Sequence, residues 1–593
     1  MDILPSTHSL PFRVADFTTL TEALDYAALG DTGANFFSGR AELVNSLSYA
    51  QLREDAIALA RKMLARGIRP DDRVALVANT DAHFLRFFFG CLYAGIIPVP
   101  LPAAMQLGSH HAYTQQVQRL LQASEARLAV ADSGCLPCLE EASEGLDGIG
   151  LATPESFYAN ETPQDIALPE IRPEGIAYLQ YTSGSTRFPR GVVITHRSAS
   201  ANIHAIARHG VGMREGDRCT SWLPFYHDMG LVGFVLVPVA TQTSVDYLDT
   251  REFAVRPRQW LALISQQGGT ISFSPSFGYD LCARRVREGE VEQYDLSHWR
   301  VAGIGAEMIR PDTLDRFAEQ LGAAGFDSGA FLPCYGMAEC TLGISFSPLG
   351  RGYETDYIDA EHLADNGEVL PKAEPPDQGG RGRHFVNCGR PLPGHEIEIR
   401  DEQGNALMDQ QTGIIHVRGP SVMSGYFNEP VETQRVLSGE GWLNTGDIGY
   451  LREGVLTITG RKKDMIILRG RNIWPEDVEY TVEHLPGVRM GDVVAFAAPD
   501  PEGNECCVLM VQTRETDVAL QRQRVQSIKA SVQQEMSLES HVELVPPRSL
   551  PRTSSGKLSR AQARQNYLAM IGDPDYSSSQ SAAGAMRYDV ATS

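Results

Sequence analysis

The stretch Tyr181-Thr-Ser-Gly-Ser-Thr-Arg-Phe-Pro-Arg-Gly191 decides how the rest of the chain is interpreted. Short apolar runs at 176–180 and 192–195 flank it, which predicts two extended segments joined by a polar loop. Because glycine lets the backbone turn tightly, neighbouring hydroxyl and amide donors can point at one phosphate chain. These donors surround Gly184 and are Thr182, Ser183, Ser185 and Thr186. Arg187 and Arg190 add positive charge suited to phosphate oxygens.

Taken alone, the same loop is equally compatible with a surface turn rich in small residues. The loop does not fit a Walker A motif, which needs a second glycine five residues after the first and then a lysine. Position 189 is a proline instead, so the chemistry of P-loop kinases is a poor match. The choice between a phosphate loop and a plain turn depends on the rest of the chain.

Composition and charge exclude several classes of protein. A length of 593 residues predicts several subdomains, and 42% hydrophobic residues allow a large core. The net charge of −22 argues against general nucleic-acid binding, which needs a basic surface. Residues 1–5 lack the basic segment and apolar core of a signal peptide, so we expect none. The most apolar stretch, 84–102, is interrupted by Arg86 and ends in prolines, which predicts a buried helix and an extended segment rather than membrane insertion.

The cysteines indicate a reducing compartment. The ten cysteines form no disulfide framework, so we expect free thiols and a cytoplasmic location. Cys135 and Cys138 form a CxxC, but no second pair completes a metal site, and the sequence around them does not resemble a redox turn. The pair is interpreted as incidental.

The order of segments predicts an α/β protein. An amphipathic helix over 48–67 precedes a buried strand at 74–77, and helices near 84–95 and 113–123 precede a strand at 127–130. This alternation, which continues to Ile304, favours a mostly parallel sheet covered on both faces. Residues 343–383 are polar and rich in Gly and Pro, which indicates an inserted loop. Shorter strands follow over about 386–459, then a small mixed segment over 460–572, then a Ser/Ala-rich tail over 573–593 that we expect to be disordered.

Further polar motifs follow the opening loop in a fixed order. They are Trp222-Leu-Pro-Phe-Tyr-His-Asp-Met-Gly230, Tyr335-Gly-Met-Ala-Glu339, Asn444-Thr-Gly-Asp447, Gly460-Arg-Lys-Lys-Asp464 and Pro551-Arg-Thr-Ser-Ser-Gly-Lys557. Together with the opening loop they resemble the signatures of the adenylate-forming superfamily of acyl-CoA synthetases, luciferases and peptide-synthetase adenylation domains. The resemblance covers nearly the whole chain.

The resemblance implies both a fold and a set of site residues. The fold is a large N-terminal adenylating domain over 1–459, with two α/β sheet subdomains and a β-rich subdomain, and a small mobile α+β C-terminal domain over 460–572. ATP and Mg²⁺ are the implied cofactors. The residues implied to bind the nucleotide are Thr182, Ser183, Gly184, Ser185, Thr186, Arg187, Arg190, Gly305, Ala306, Glu307, Tyr335, Gly336, Met337, Ala338, Asp447 and Arg461.

Three residues are implied to act most directly in the reaction. Lys557 would bridge the attacking carboxylate and the α-phosphate, and Glu339 would help to hold Mg²⁺. His227 would lie at the carboxylate end of the acyl pocket, although a buried packing histidine remains an open alternative. Lys463 matches the position of the hinge about which the C-terminal domain would rotate.

Within the superfamily the chain most resembles a fatty acyl-AMP ligase. CoA ligases usually have Gly and Lys where this loop has Arg187 and Arg190. The segment 343–383 is similar in place to the insertion that marks acyl-AMP ligases. The block from 221 to 233 and the segment from 275 to 285 resemble the acyl-pocket region of that subfamily. Phe225, Phe234, Phe273 and Phe277 suggest an apolar pocket, although a place in the core is the open alternative for each.

The implied reaction is activation of a fatty acid to acyl-adenylate, followed by transfer to the phosphopantetheine of an acyl carrier protein. We expect an acidic carrier to need a local basic patch, for which Arg548, Arg552, Arg560 and Arg564 are the candidates. A long-chain acyl-CoA synthetase is the alternative. An amino-acid adenylation domain fits less well, because no anchor for an α-amine is evident at 226–229. A non-catalytic relative would be expected to lack Glu339, Asp447, Arg461 and Lys557, all of which are present.

Overall fold

Two sheets of mostly parallel strands form the N-terminal part of this computed structural model, which describes residues 2–6, 10–103, 110–182, 189–287, 289–359, 362–363, 367–371, 382–468, 471–501, 503–553 and 556–572. The strands of the larger sheet are, in spatial order, Arg390–Pro391, Gly343–Phe346, Phe331–Gly336, Val301–Ile304, Ile271–Ser274, Arg218–Ser221, Ser244–Leu248, Gly33–Phe37 and Leu43–Ser48. The strands from Phe331–Gly336 across to Gly33–Phe37 are parallel, and antiparallel strands close both edges.

The smaller sheet is parallel throughout the described residues. Its strands are Ile97–Leu101, Arg73–Val77, Ala126–Val130 and Gly150–Ala152. Parallel neighbours need crossover helices, so the alternation in the sequence correctly predicts this class. The α/β prediction is therefore confirmed.

Helices connect these strands at the positions that periodicity and capping residues dictate. Tyr49–Ala65 begins where the Ser48 side chain accepts a hydrogen bond from the Gln51 N–H, and its face with Leu52 and Met63 is buried. Ala82–Tyr93 is buried along nearly its whole length, as its apolar sequence predicts. The other α-helices of this part are Leu20–Ala27, His110–Ser124, Leu136–Ser143, Pro154–Tyr158, His196–Ala205, Asp228–Leu231, Val237–Ala240, Thr250–Val255, Arg258–Gln267, Ser276–Arg285, Pro311–Leu321 and Pro430–Val436. Shorter turns are π-helical at Ile206–Gly210 and Val232–Leu236, and 3₁₀-helical at Val291–Gln293, Gly322–Ala324, Ser328–Ala330 and Ala338–Cys340.

The opening loop lies between two paired strands. Ile176–Tyr181 runs antiparallel to Gly191–Thr195, with Tyr181 opposite Gly191. The prediction of two extended segments around a polar loop is therefore confirmed at both ends. Residues 183–188 lie outside the described part, and with them the predicted site residues Ser183, Gly184, Ser185, Thr186 and Arg187.

The sequence predicted an inserted loop over 343–383, but part of this polar segment forms strands. Gly343–Phe346 is a strand of the larger sheet, paired with Phe331–Gly336 and Arg390–Pro391, and Ile344 is buried in the core. Thr355–Asp359 pairs with Gly382–Val386 as an antiparallel ribbon. Tyr450 donates a hydrogen bond to Asp356 Oδ2 at 2.9 Å, which fastens this ribbon to the neighbouring β-rich sheet. Residues 360–361, 364–366 and 372–381 lie outside the described part.

The remaining strands form the predicted β-rich and C-terminal parts. An antiparallel sheet contains Glu396–Arg400, Gly413–Arg418, Leu443–Arg452 and Val455–Arg461. After a 3₁₀ turn at Lys462–Asp464 come the ribbon Ile466–Leu468 and Arg471–Ile473, and a sheet of Val493–Pro499, Glu505–Gln512 and Ser540–Val545. The helices here are Pro475–Glu483, Val518–Met536 and Arg560–Ile571, and this part has its own apolar core. The exact domain boundaries stay predictions, and the tail from 573 lies outside the described residues.

In the part of the chain described here, no helix combines the length and the apolar character that a membrane span requires.

Candidate active site

A cavity of about 2700 Å³ lies between the N-terminal part and the C-terminal residues. Its walls contain every predicted site residue that the structure describes: Thr182, Arg190, His227, Gly305, Ala306, Glu307, Tyr335, Gly336, Met337, Ala338, Glu339, Asp447, Arg461, Lys463 and Lys557. The sequence predicted these residues from motifs far apart in the chain, and the fold brings them to one place.

The topology of the larger sheet explains this convergence. The segments 222–227, 275–277, 305–307 and 337–339 each follow the carboxyl end of a parallel strand, so they meet at one edge of the sheet. Close backbone packing fixes the edge, since a Cβ on Gly336 would lie 1.8 Å from the Leu342 carbonyl oxygen. Ala306 adopts a φ of +71°, a left-handed conformation that is strained for a residue with a side chain.

Asp447 is held by partners on both carboxylate oxygens. Arg461 lies opposite it on the neighbouring strand and donates from Nε to Oδ1 at 2.6 Å, while the Tyr335 hydroxyl donates to Oδ2 at 2.7 Å. The negative charge of Asp447 raises the pKa of Arg461. Each oxygen keeps a second lone pair, so this fixed carboxylate can still accept hydrogen bonds from a ligand in the cavity.

Glu339 lies in the turn Ala338–Cys340 and is half-buried in the cavity wall. The Tyr426 hydroxyl donates to its Oε1 at 2.9 Å. Burial raises the pKa of Glu339, because the low-dielectric surroundings penalise its charged form. A cation bound beside this carboxylate would remove that penalty.

Lys557 enters the cavity from the C-terminal part. The loop before it closes through hydrogen bonds from Thr553 N–H to the Lys557 carbonyl (2.7 Å) and from Gly556 N–H to the Thr553 carbonyl (2.9 Å). A Cβ on Gly556 would lie 3.6 Å from Phe277, so the loop contacts the N-terminal wall directly. Burial lowers the pKa of Lys557, and the carboxylates of Asp228 and Glu307 oppose that shift.

The AMP-binding enzyme family profile matches residues 27–427, more than half of the chain. This chain belongs to the AMP-binding enzyme family. The match confirms the family resemblance that the motifs indicated, and the protein is an enzyme of this family.

Individual proteins of known sequence or structure are also similar to this chain. A Caulobacter vibrioides (strain NA1000 / CB15N) protein, provisionally named an acyl-CoA synthetase, is 45% identical over 96% of this chain and 98% of its own length. The medium-chain-fatty-acid–[acyl-carrier-protein] ligase JamA of Moorena producens (strain JHB) is 32% identical over 93% of this chain and 95% of its own. A structure from a study of fatty acyl-adenylate ligases of E. coli and L. pneumophila is 45% identical, with a TM-score of 0.90 over 95% of this chain and 100% of its own.

Aromatic side chains line the same cavity as Lys557, and we call this aromatic part of the wall the aromatic branch. Phe234, Phe273 and Phe277 line it, as the sequence predicted. The π-helical turn Val232–Leu236 brings Gly233 and Phe234 to this wall. Phe225 was wrongly assigned to the pocket: it is fully buried between Phe84, at 5.4 Å between ring centroids, and Tyr247, at 4.8 Å.

His227 and Asp228 line the same cavity. His227 Nδ1 is 2.7 Å from Asp228 Oδ1 and accepts from the Met229 N–H at 3.3 Å, so His227 also caps the helix Asp228–Leu231. Burial favours a higher pKa for Asp228, but His227 and Lys557 outweigh it and the pKa is lowered. The sequence analysis did not single out Asp228, although it stands beside His227 in the quoted motif.

Arg190 of the enzyme is engaged by protein carboxylates. Its Nη2 is 2.6 Å from Glu432 Oε2, its Nε is 3.4 Å from Glu429 Oε2, and its guanidinium lies 5.3 Å from the ring of Tyr426. The sequence analysis expected Arg190 to bind the nucleotide, which stays a prediction, and in the structure its carboxylate partners fix the position of the loop end. These contacts also connect the loop to Glu339 through Tyr426, a residue that the sequence analysis missed.

Ion pairs join the C-terminal part to the rest of the enzyme. Arg310 pairs with Glu483, and Arg383 of the ribbon pairs with Asp477. Glu483 Oε1 also accepts from the Gly491 N–H at 2.5 Å. Lys463 lies in the exposed 3₁₀ turn Lys462–Asp464, between the last strand of the β-rich sheet and the C-terminal ribbon. These contacts hold Lys557 inside the cavity.

One of the four arginines expected to form a basic patch is neutralised by carboxylates of its own part. Arg560 is half-buried and pairs with Asp464 (3.2 Å), Glu476 (2.8 Å) and Glu479 (2.7 Å), so its charge is neutralised internally. Arg552 donates to the carbonyls of Gly556 and Gly491 and lines the cavity. Arg564 donates from Nε to the Ala497 carbonyl and remains exposed. The prediction of a patch that includes Arg560 is wrong, because three carboxylates of the same part surround it.

Proposed function

We propose that this enzyme activates a fatty acid with ATP, forming acyl-adenylate and pyrophosphate, and then transfers the acyl group to the phosphopantetheine thiol of an acyl carrier protein. One observation carries the proposal: the Lys557 ammonium, the fixed Asp447 carboxylate and an aromatic branch open onto the same cavity. The similarity to fatty acyl-adenylate ligases and to an acyl-carrier-protein ligase supports it.

In the first step a carboxylate oxygen of the fatty acid attacks the α-phosphorus of ATP, and the bond to pyrophosphate breaks. Charge neutralisation and positioning carry such a transfer, so no protein nucleophile is needed. Lys557 would donate to the attacking carboxylate and to the α-phosphate. The negative charges of Asp228 and Glu307 favour the ammonium form of Lys557 in a site where burial favours its neutral form.

Asp447 would accept hydrogen bonds from the two ribose hydroxyls. Tyr335 and Arg461 already occupy one position on each of its oxygens, so the ring position is defined before the nucleotide binds. Gly305, Ala306 and Glu307, together with the segment 335–338, would form the adenine slot. Glu307 accepts from the Phe277 N–H at 2.9 Å, which fixes that wall against the aromatic branch.

Glu339 suits a magnesium ion that is held mainly by substrate phosphates. Mg²⁺ prefers oxygen ligands and usually takes one or two protein carboxylates besides phosphates and water. Glu339 supplies one half-buried carboxylate, with Oε1 oriented by Tyr426. When bound, Mg²⁺ would neutralise charge on the triphosphate. Among the described residues no group of three or more His, Cys, Asp or Glu side chains could hold a metal ion.

The aromatic branch suits an alkyl chain. Burying each methylene group contributes about 0.8 kcal/mol, so a long chain gains binding energy in contact with Phe234, Phe273 and Phe277. His227 and Asp228 line the same cavity, where the carboxylate of the acid would meet Lys557.

For transfer, Lys557 must leave the cavity so that a thiol can reach the adenylate. Lys463 is our proposed hinge for this rotation. Replacing Lys463 with proline should leave adenylate formation intact and block transfer. A variant that keeps both half-reactions contradicts the hinge assignment.

The acceptor is tested by product analysis. The enzyme is incubated with ATP, Mg²⁺ and fatty acids of several lengths, and then with either CoA or a phosphopantetheinylated carrier protein. We expect acyl-AMP to persist with CoA and to be consumed by the carrier. Efficient acyl-CoA formation would instead favour the second candidate, an acyl-CoA synthetase, which the name of the Caulobacter relative supports.

A further inference from the structure

A second cluster of reactive side chains lies apart from the cavity. Cys138 Sγ is 3.5 Å from His110 Nδ1, and His110 Nε2 is 2.6 Å from Glu141 Oε2. A nucleophile, a base and a carboxylate that orients the base therefore form a relay. The residues come from the first turn of the helix His110–Ser124 and from the helix Leu136–Ser143 that packs against it.

The same helix begins with a second thiol. Cys135 is the residue before Leu136, so the segment Cys135-Leu-Pro-Cys138 forms the start of the helix, and an i, i+3 spacing puts both thiols on one face. The strands Ala126–Val130 and Gly150–Ala152 on either side are parallel neighbours, which makes the unit a βαβ crossover. A CxxC at the first turn of a βαβ helix is the arrangement of disulfide oxidoreductases. The sequence alone gave an incidental pair, because nothing in it places His110 beside Cys138.

The two thiols differ in their surroundings. Burial, with Asp132 close by, raises the pKa of Cys135 to about 11, so Cys135 rests as a thiol. Cys138 is half-buried and contacts the imidazole, and both thiols are free. The carboxylate on Nε2 holds that proton there, which leaves Nδ1 as the acceptor for the Cys138 proton.

We propose that Cys138 and Cys135 form a redox-active dithiol that exchanges with small-molecule disulfides, with Cys138 as the attacking sulfur. His110 Nδ1 takes the Cys138 proton, and the thiolate attacks one sulfur of the disulfide. The S–S bond breaks, and the first small thiol leaves with the proton from His110. Cys135 Sγ then attacks Cys138 Sγ of the mixed disulfide, the bond from Cys138 to the second small sulfur breaks, and the proton that Cys135 loses passes to that sulfur, which leaves as the second small thiol. The net change oxidises the protein dithiol and reduces one external disulfide to two thiols.

The test uses reduced full-length enzyme and a neutral probe, bis(2-hydroxyethyl) disulfide, at pH 6. Thiols are blocked with N-ethylmaleimide at set times, and the peptide that contains both cysteines is analysed by mass spectrometry. We expect the wild type to form an internal Cys135–Cys138 disulfide. In Cys135→Ser the reaction should stop at a mixed disulfide on Cys138.

Replacement of the base separates the proposal from ordinary thiol reactivity. His110→Gln and His110→Asn should each slow the exchange about tenfold, because an ordinary thiol is almost entirely protonated at pH 6. Cys506→Ser, which removes a half-buried thiol of the C-terminal part, is the matched control and should react like the wild type. Thermal melting midpoints identify any variant that does not fold.

Two results overturn the proposal. One is an unchanged exchange rate in both folded His110 variants. The other is a mixed disulfide that forms on Cys135 in Cys138→Ser as fast as on Cys138 in Cys135→Ser.

Discussion

Replacing Tyr426 with phenylalanine removes one hydroxyl and tests how Glu339 is positioned. The hydroxyl donates to Glu339 Oε1 at 2.9 Å in the wall of the cavity. Burial raises the pKa of this carboxylate. A hydrogen bond to a charged group contributes about 1.5–3 kcal/mol, which corresponds to about 10- to 100-fold in rate. We therefore expect adenylate formation to slow by that factor and the Mg²⁺ concentration for half-maximal rate to rise.

The assay is ATP–pyrophosphate exchange at several Mg²⁺ concentrations. Tyr450→Phe is the matched control, because that buried hydroxyl also donates to a carboxylate at 2.9 Å but lies outside the cavity wall. Adding Tyr426→Phe to Glu339→Gln should cause little further loss, since both changes act on the same contact. A Tyr426→Phe enzyme with an unchanged rate and unchanged Mg²⁺ dependence would refute the positioning role.

Three further predictions follow from the same contacts. Lys557→Met should slow single-turnover adenylate formation about 10²–10³-fold, and a rate within a factor of three of the wild type would contradict its role as charge stabiliser. Arg190→Ala and Glu432→Gln should raise the KM for ATP by similar factors, and the double variant should show no further rise; additive effects would indicate that Arg190 contacts the nucleotide independently. Burial lowers the pKa of His196 to about 4, and its Nδ1 accepts from the Leu20 N–H at 3.2 Å. As the pH falls below about 6.5, the imidazole is protonated in the unfolded chain before it is protonated in the folded one. The free energy of unfolding of the wild type should therefore fall by about 2 kcal/mol between pH 7 and pH 5 relative to His196→Asn. The measurement compares the melting midpoints of the two proteins at both pH values. An equal loss in both proteins would contradict a buried neutral imidazole.

Local patterns predict the elements of the fold well, because they depend on neighbours in the sequence. The helix after Ser48 and the buried helix before Tyr93 follow directly from capping and apolar periodicity. The parallel class follows from the alternation of segments. The strand at 343–346 was missed, because four residues within a polar stretch give too short a pattern to identify.

Some site residues can be identified from sequence motifs, whereas other contacts of the site are visible only in the folded structure. Glu339, Asp447 and Lys557 stand in recognisable motifs, and the structure brings all three to one cavity. Arg190 and Glu432 are 242 positions apart, and no local pattern pairs them.

The same limit explains the errors. In the sequence Arg560 has no evident partner. In the folded chain, Glu476 and Glu479 of the helix Pro475–Glu483 pair with it. Phe225 stands in a motif with pocket residues but points into the core. Pairing across distant segments depends on tertiary geometry, so these assignments need the structure.

The most direct test of the account is fatty-acid-dependent ATP–pyrophosphate exchange by the purified enzyme, with Lys557→Met measured in parallel. We predict that exchange requires a fatty acid, that it is not supported by amino acids, and that it falls about 10²–10³-fold in the variant. Exchange that proceeds without any fatty acid, or that is unaffected by the loss of Lys557, would contradict the assignment of this cavity as an acyl-adenylate site.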